Sequence, residues 1–177
     1  MSGSFSQREL RDAFGLFATG VTVVTAVRPD GEPVGVTVNS FASVSLHPPL
    51  LLWCLARGSS AGPAFTPKAA FAVHVLGHEQ RELALHFARR TAEKFEVDSD
   101  FRVRPHPPHI ADAICRFDCR VHAVHEGGDH LIVVGEVLSI VRARGKPLAF
   151  HAGRFGSFSA EGAAELDVWQ AAEDRWF

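Results

Sequence analysis

V-T-V-V-T-A-V-R-P-D-G-E-P-V-G-V-T-V-N-S-F, residues 21–41, contains two β-branched runs around one turn signal. From Val21 to Val27, Val and Thr alternate as strand residues do, Asp30-Gly31 suits a tight hairpin turn, and Val34 to Phe41 suits the returning strand. The two segments are expected to pair antiparallel, which makes this a sheet protein rather than a helical one.

On the N-terminal side, Ser6 followed by Glu9 is a capping-box pattern, and Leu10, Ala13, Phe14 and Phe17 recur at helical spacing until Gly20. A short amphipathic helix is expected there. Downstream, Leu50 to Ala56 and Ala69 to Leu76 are continuous apolar runs of strand length, as in strands covered on both faces. Ser59, Ser60, Gly62 and Pro63 mark the loop between them, able to open a short helix, and Glu79 to Arg90 reads as a second helix with Arg89 and Arg90 at its C-terminus. Cys115 to Ala123 alternates, with Cys115, Phe117, Cys119, Val121 and Ala123 on the core face. Glu126 to Asp129 reads as a turn and Leu131 to Val141 as a long strand, with Gly135 marking a bulge or close backbone approach. About six strands with inserted helices imply a mainly β, Greek-key-like barrel with peripheral α-helices.

The chain has 177 residues, 46% of them hydrophobic, and its 14 Phe against no Tyr point to aromatics used for packing. One domain spanning 1–177 is expected. The formal charge of -2 and the scattered arginine pairs offer no footprint for nucleic acid. Cys54, Cys115 and Cys119 are too few for a disulfide framework, and on one strand Cys115 and Cys119 would lie about 13 Å apart, beyond bridging distance. Glu9 and Asp12 interrupt any leader pattern, and the uncharged run Pro33 to Ala56 carries Asn39, His47 and a Pro-Pro pair unsuited to lipid. The expectation is a cytoplasmic protein that does not enter membranes.

No G-x-G-x-x-G and no G-x-x-x-x-G-K-[ST] occurs, so neither the dinucleotide fold nor the P-loop is indicated. What stands out is a polar set within apolar strands: Thr37, Asn39, Ser40, Ser43 and Ser45, then Ser59 and Ser60 after a core strand. Hydroxyls, amides and strand-end N–H groups suit a phosphate and a heteroaromatic ring edge. Ordinary strand-edge hydrogen bonding accounts for the same residues.

The blocks T-V-N-S-F-A-S-V-S-L-x-P-P-L, Cys54-Leu55-Ala56-Arg57-x-Ser59-Ser60, Lys94-Phe95 and Gly128-Asp129-His130 occur in this order. Together they resemble the flavin reductase family with the FMN-binding split barrel, the reductase components of two-component flavin monooxygenases. The resemblance covers about residues 10–155, leaving 156–177 as a C-terminal extension. It implies that Thr37, Val38, Asn39 and Ser40 line the flavin, with Ser43 and Ser45 in the same run, and that backbone groups of Cys54, Leu55 and Ala56 meet the ring edge. It further implies that Ser59, Ser60 and Lys94, followed by Phe95, hold the ribityl phosphate region. His130 matches the family's nicotinamide-side histidine and is assigned cofactor orientation while hydride passes from nicotinamide C4 to flavin N5. Arg154, in His151-Ala152-Gly153-Arg154-Phe155, corresponds to a position suited to a dinucleotide phosphate, although Phe150 and His151 stand where tyrosines are common in the family.

The activity so implied is NAD(P)H-dependent reduction of FMN or FAD, with reduced flavin passed to a separate monooxygenase. FMN versus FAD, and NADH versus NADPH, stay open. So do two other readings: a tightly held flavin serving another acceptor, and an FMN- or haem-binding barrel without turnover. A homodimer is implied by resemblance, and Ala163 to Phe177, with Leu166, Trp169, Trp176 and Phe177, offers apolar surface for such a boundary. No metal site is expected: His122 and His125 would point to opposite faces of a strand, and His106 and His109 sit among prolines.

Overall fold

The computed structural model describes residues 5–89, 94–95, 101–102 and 107–158. In chain order the elements are α1 (Gln7–Gly15), β1 (Thr19–Gly20), β2 (Thr22–Val27), β3 (Pro33–Val38), β4 (Ala42–Leu46), β5 (Pro49–Ala56) and β6 (Ala70–Val75). These are followed by α2 (Arg81–Ala88), β7 (Phe101–Arg102), β8 (His109–Ile110), β9 (Cys115–Gly127), β10 (His130–Arg142), β11 (Leu148–His151) and β12 (Arg154–Ser157).

Seven strands form one antiparallel sheet in the order β3-β2-β6-β9-β10-β5-β4. Its outer strands, β3 and β4, are consecutive in the chain and joined only by residues 39–41. Laid flat, seven strands would put β3 and β4 about 29 Å apart, whereas four extended Cα steps reach about 14 Å. The sheet therefore rolls into a barrel whose split lies between β3 and β4. The crossover from β5 to β6, past β10 and β9, gives it the Greek-key character expected from the sequence.

The β2–β3 hairpin forms as expected, with Val27 opposite Pro33 and Thr22 opposite Val38. Its returning strand is shorter than the run Val34 to Phe41 suggests, because residues 39–41 must cross the split. The chain also has twelve strands among the described residues rather than six. β4 carries Ser43 and Ser45 and lies at an edge, and β11 and β12 are four residues each, so none has a buried apolar run to announce it. The turn before the long strand is also tighter than Glu126 to Asp129: β9 continues to Gly127, leaving Gly128 and Asp129, with Gly128 at φ 71°.

Burial explains which strands announce themselves. β2 is enclosed on both faces: Val24 and Ala26 join the barrel interior, and Val21 and Val23 join a second cluster with Leu76, Ala84 and Phe87 beneath α2. β5 departs from the two-sided burial its sequence suggests. Leu51, Trp53 and Leu55 are buried, while Leu52, Cys54 and Ala56 are only half-buried, since their face borders the split. Trp53 packs edge-on to Phe65 at 4.7 Å between centroids, and both rings meet Phe71. The expected irregularity at Gly135 is present as a register shift between Val134 and Gly135. A Cβ there would lie 2.4 Å from Phe71 Cζ, so the glycine leaves room for that buried ring.

α1 has the capping box read from Ser6 and Glu9, with the Ser6 hydroxyl accepting from Glu9 N–H. None of its residues is buried: Phe14 and, just beyond the helix, Leu16 and Phe17 are each about 70–80% exposed. The second helix begins later than Glu79, because residues 78–80 form a 3-10 turn, and α2 ends at Ala88. Arg90, His106 and Ala163 to Phe177 lie outside the described residues. Among those described, no helix is long and apolar enough to cross a membrane.

His74, on β6, is fully buried. Its Nδ1 donates to the Val23 carbonyl at 3.1 Å and its Nε2 accepts from Ile110 N–H at 3.2 Å, an arrangement that needs the neutral ring. Burial pushes its pKa down to about 4 from 6.5. The unfolded chain therefore binds this proton more readily between pH 6.5 and 4, and stability from His74 is lost as pH falls through that window. Full development of the shift corresponds to about 3 kcal/mol. In urea titrations, the stability advantage of wild type over His74→Gln should narrow as pH falls from 7 to 4; a constant gap would refute the neutral buried role.

Candidate active site

A cleft of about 860 Å³ opens beside the barrel split, between β3, the end of β5, α2 and the Lys94 segment. Its wall includes Thr37 and Val38 from β3, Cys54, Leu55 and Ala56 from β5, Ser59 and Ser60 from the following loop, and Lys94 and His130. Thr37 and His130, 93 positions apart in the sequence, thus share one cavity.

The connections of these groups are specific. The Thr37 hydroxyl donates to the Ala84 carbonyl at 2.6 Å, tying β3 to α2. Lys94 Nζ donates to the carbonyls of Gly35 and Phe87, each at 2.8 Å, which spends two of its three N–H bonds and caps the end of α2. Desolvation lowers the Lys94 pKa from its ordinary value. Its half-buried ammonium is therefore both a brace between strand and helix and a positive charge on the cleft wall. Phe95 lies behind that wall, edge-on to Phe87 at 5.3 Å.

Ser40 and Asn39 sit in the connection across the split, outside the cleft lining. The Ser40 hydroxyl accepts from Cys54 N–H at 2.9 Å. The Cys54 amide is thereby satisfied within the chain. Ladder alternation turns the Ala56 N–H to the same side as that of Cys54, at the cleft. Ser43 and Ser45 lie on the edge strand β4, and Arg154 is exposed on β12; none of the three lines the cleft. Gly58-Ser59-Ser60-Ala61-Gly62 has the G-x-S-x-G spacing of a hydrolase elbow, but here it is a loop in which the Ser59 hydroxyl accepts from Ala61 N–H.

His130 opens β10 directly opposite Ala56. Its Nδ1 meets Asp129 Oδ1 at 2.8 Å, and that contact holds the Asp129 carboxyl below its usual pKa. The turn is fastened to β5 by Arg57, whose Nε donates to the Gly128 carbonyl at 2.7 Å and whose Nη2 bonds Glu126. The Arg57 amide adds a bond to the Asp129 carbonyl at 3.0 Å. The loop that carries Ser59 and the turn that carries His130 are thereby one unit.

Residues 14–159 match the model of the flavin reductase like domain. The chain belongs to the flavin reductase family. It is 48% identical over 160 residues to an FMN reductase (NADH) of Agrobacterium fabrum, covering 90% of each chain. It is 39% identical to the reductase component of 4-nitrophenol 4-monooxygenase/4-nitrocatechol 2-monooxygenase from Rhodococcus opacus, covering 85% of this chain and 80% of the relative. Among solved structures, the NADH:FAD oxidoreductase of Streptomyces globisporus, in complex with NAD and FAD fragments, superposes with a TM-score of 0.80. That pair shares 38% identity, over 89% of this chain and 96% of the other. The likeness extends to the split-barrel fold, and this flavin reductase is an oxidoreductase by family.

Sequence reasoning did not assign Arg28, Glu32, the outer half of β3, or Phe87 to Arg89 to the site, yet all of them line the reductase's cleft. Gly35 was a usable signal. A Cβ there would come within 2.5 Å of Phe87, marking where α2 closes on the strand. Arg57 is the other residue whose role only geometry shows. Arg57→Ala should raise KM for nicotinamide about three- to tenfold, with a smaller effect on flavin, because the turn loses two side-chain bonds. Steady-state kinetics with each substrate varied checks this, and Arg57→Lys should recover part of the loss.

Proposed function

We propose that this protein is an NAD(P)H:flavin oxidoreductase that reduces FMN or FAD in the cleft and supplies reduced flavin to a separate monooxygenase. The observation that carries the reading is the convergence of Thr37, Val38, Ala56, Ser59, Ser60, Lys94 and His130 on one cavity of nucleotide size. The donor set fits the ligand: apolar Val36, Val38 and Leu55 offer a surface for a planar ring, while hydroxyls and an ammonium suit a phosphate. Flavin, when bound, supplies the electron-accepting ring, and the nicotinamide supplies hydride.

The chain's own residues bind and orient. Val38 and the half-buried face of β5 would hold the ring at the split, with the Ala56 N–H as a donor for it. Ser59 and Ser60 contribute donors toward the phosphate, and Lys94 contributes charge and its remaining N–H. With Nδ1 held by Asp129, the ring of His130 is fixed at the cleft wall, where it positions the nicotinamide rather than transferring an obligatory proton. Ser40 acts through Cys54, bracing the strand on which the ring rests.

A homodimer accounts for the apolar surface left uncovered in one protomer. Phe14 on α1, Leu16 and Phe17 just beyond it, Val44 and Leu46 on β4, and Leu138, Ile140 and Val141 on the half of β10 beyond its pairing with β5 are all exposed. Free Cys54, Cys115 and Cys119 suit a reducing compartment, and we place the enzyme in the cytoplasm.

Purified protein mixed with NADH or NADPH and each free flavin should oxidise the nicotinamide only when flavin is present; absence of flavin-dependent oxidation would overturn the assignment. In the same assay His130→Ala should raise KM for the nicotinamide about tenfold while changing flavin affinity less. The reverse pattern would reassign His130 to the flavin.

A further inference from the structure

The cleft does not end where a flavin mononucleotide would. Along β3 it runs from Val38 to Pro33, and five residue intervals of strand cover about 17 Å. Lys94 Nζ marks a point short of the far end, at the Gly35 carbonyl. Beyond it the wall continues through Val34 and Pro33 to Glu32 and Arg28, with Arg89 from the end of α2 on the same cavity. A ring at Val38 and Ala56 with its phosphate at Ser59, Ser60 and Lys94 leaves this outer end uncontacted.

The outer end has a specific chemistry. Arg28 is held by Asp30, which accepts from Nε at 3.2 Å and from Nη2 at 2.8 Å, within a hairpin closed by Arg28 N–H to the Glu32 carbonyl. Asp30 is itself fixed by the Glu32 N–H at 3.1 Å. That grip uses two of the five guanidinium donors and leaves three on a side chain whose direction is set. Arg89 supplies a second guanidinium. Glu32 adds a carboxylate, which would oppose phosphate alone but is the group that accepts from the hydroxyls of a ribose. Counting Asp30, Glu32, Arg28, Arg89 and Lys94, the charges favour an anion that also carries a sugar diol.

We propose that Arg28, Arg89 and Glu32 form a subsite for the adenosine 5′-phosphate half of FAD, and that this subsite makes the enzyme select FAD over FMN. The inference rests on the flavin placement proposed above for the inner cleft. The arginines meet the phosphate nearest adenosine, and Glu32 accepts from the ribose hydroxyls. Because Arg28 is held before ligand arrives, less side-chain freedom is lost on binding than at a mobile surface arginine.

The experiment measures KM for FAD and for FMN at saturating NADH, and KM for NADH at saturating FAD, in wild type, in the double variant Arg28→Ala/Arg89→Ala, and in Glu32→Gln. KM for FAD should be about tenfold below that for FMN in wild type. The ratio of KM for FAD to KM for FMN should rise about tenfold in the double variant and severalfold in Glu32→Gln. AMP should compete with FAD in wild type and lose that ability in the double variant. A wild type that takes FMN as well as FAD would overturn the proposal, as would a double variant that weakens both flavins equally. An increase in KM for NADH in place of FAD would assign the arginines to the nicotinamide dinucleotide and overturn it too. Failure of wild type to oxidise NADH with either flavin would instead overturn the reductase reading, so the two failures are distinct.

Discussion

Three residues, Asn39, Ser40 and Phe41, carry the chain from one edge of the seven-stranded sheet to the other. Their reach, about half the width of the same sheet laid flat, forces the sheet to curl and leaves a seam rather than a closed ladder. The inner packing, the cleft and its walls all depend on that seam. On its inner side Phe41 stacks on Phe117 at 5.7 Å, and within the seam the Ser40 hydroxyl takes up the Cys54 amide that no neighbouring strand satisfies. A closed barrel would have paired that edge of β5 throughout and left no backbone facing a ligand.

The cleft is thus a property of barrel geometry before it is a property of particular side chains. β3 forms one wall because its outer edge has no strand partner, and α2 lies over it, joined by Thr37 to Ala84 and by Lys94 to Gly35 and Phe87. The residues that touch ligand in the proposed function are also those that hold strand, helix and loop together. Lys94 shows this plainly: its ammonium lines the cleft while two of its N–H bonds close α2 onto β3. Rigidity at the site comes from shared hydrogen bonds rather than from burial alone.

His130 and Ser59 are linked in a similar way. Arg57 bonds the turn before β10, which ties the side chain assigned to the nicotinamide to the loop assigned to the phosphate. α1 and the half of β10 beyond its pairing with β5 carry exposed apolar side chains. Among the described residues, Trp53, Phe65 and Phe71 pack together in the barrel interior, apart from these exposed outer faces.

Local periodicity determined much of the architecture directly. The β2–β3 hairpin, the helix capped by Ser6, the long strands β9 and β10 and the irregularity at Gly135 all have signals within a few residues: apolar periodicity in the strands, a capping box at the helix and a glycine at the bulge. The ordered blocks around Thr37, Ser59, Lys94 and His130 also pointed to the family and to a flavin. Tertiary structure alone decided what those groups can still do. It spent the Cys54 amide on Ser40 and two N–H bonds of Lys94 on carbonyls, moved Ser43, Ser45 and Arg154 away from the cleft, and brought Arg28, Glu32 and Arg89 into it. The physical reason is that hydrogen-bond partners and cavity walls depend on which strands meet when the sheet curls, and such contacts leave no period in the chain.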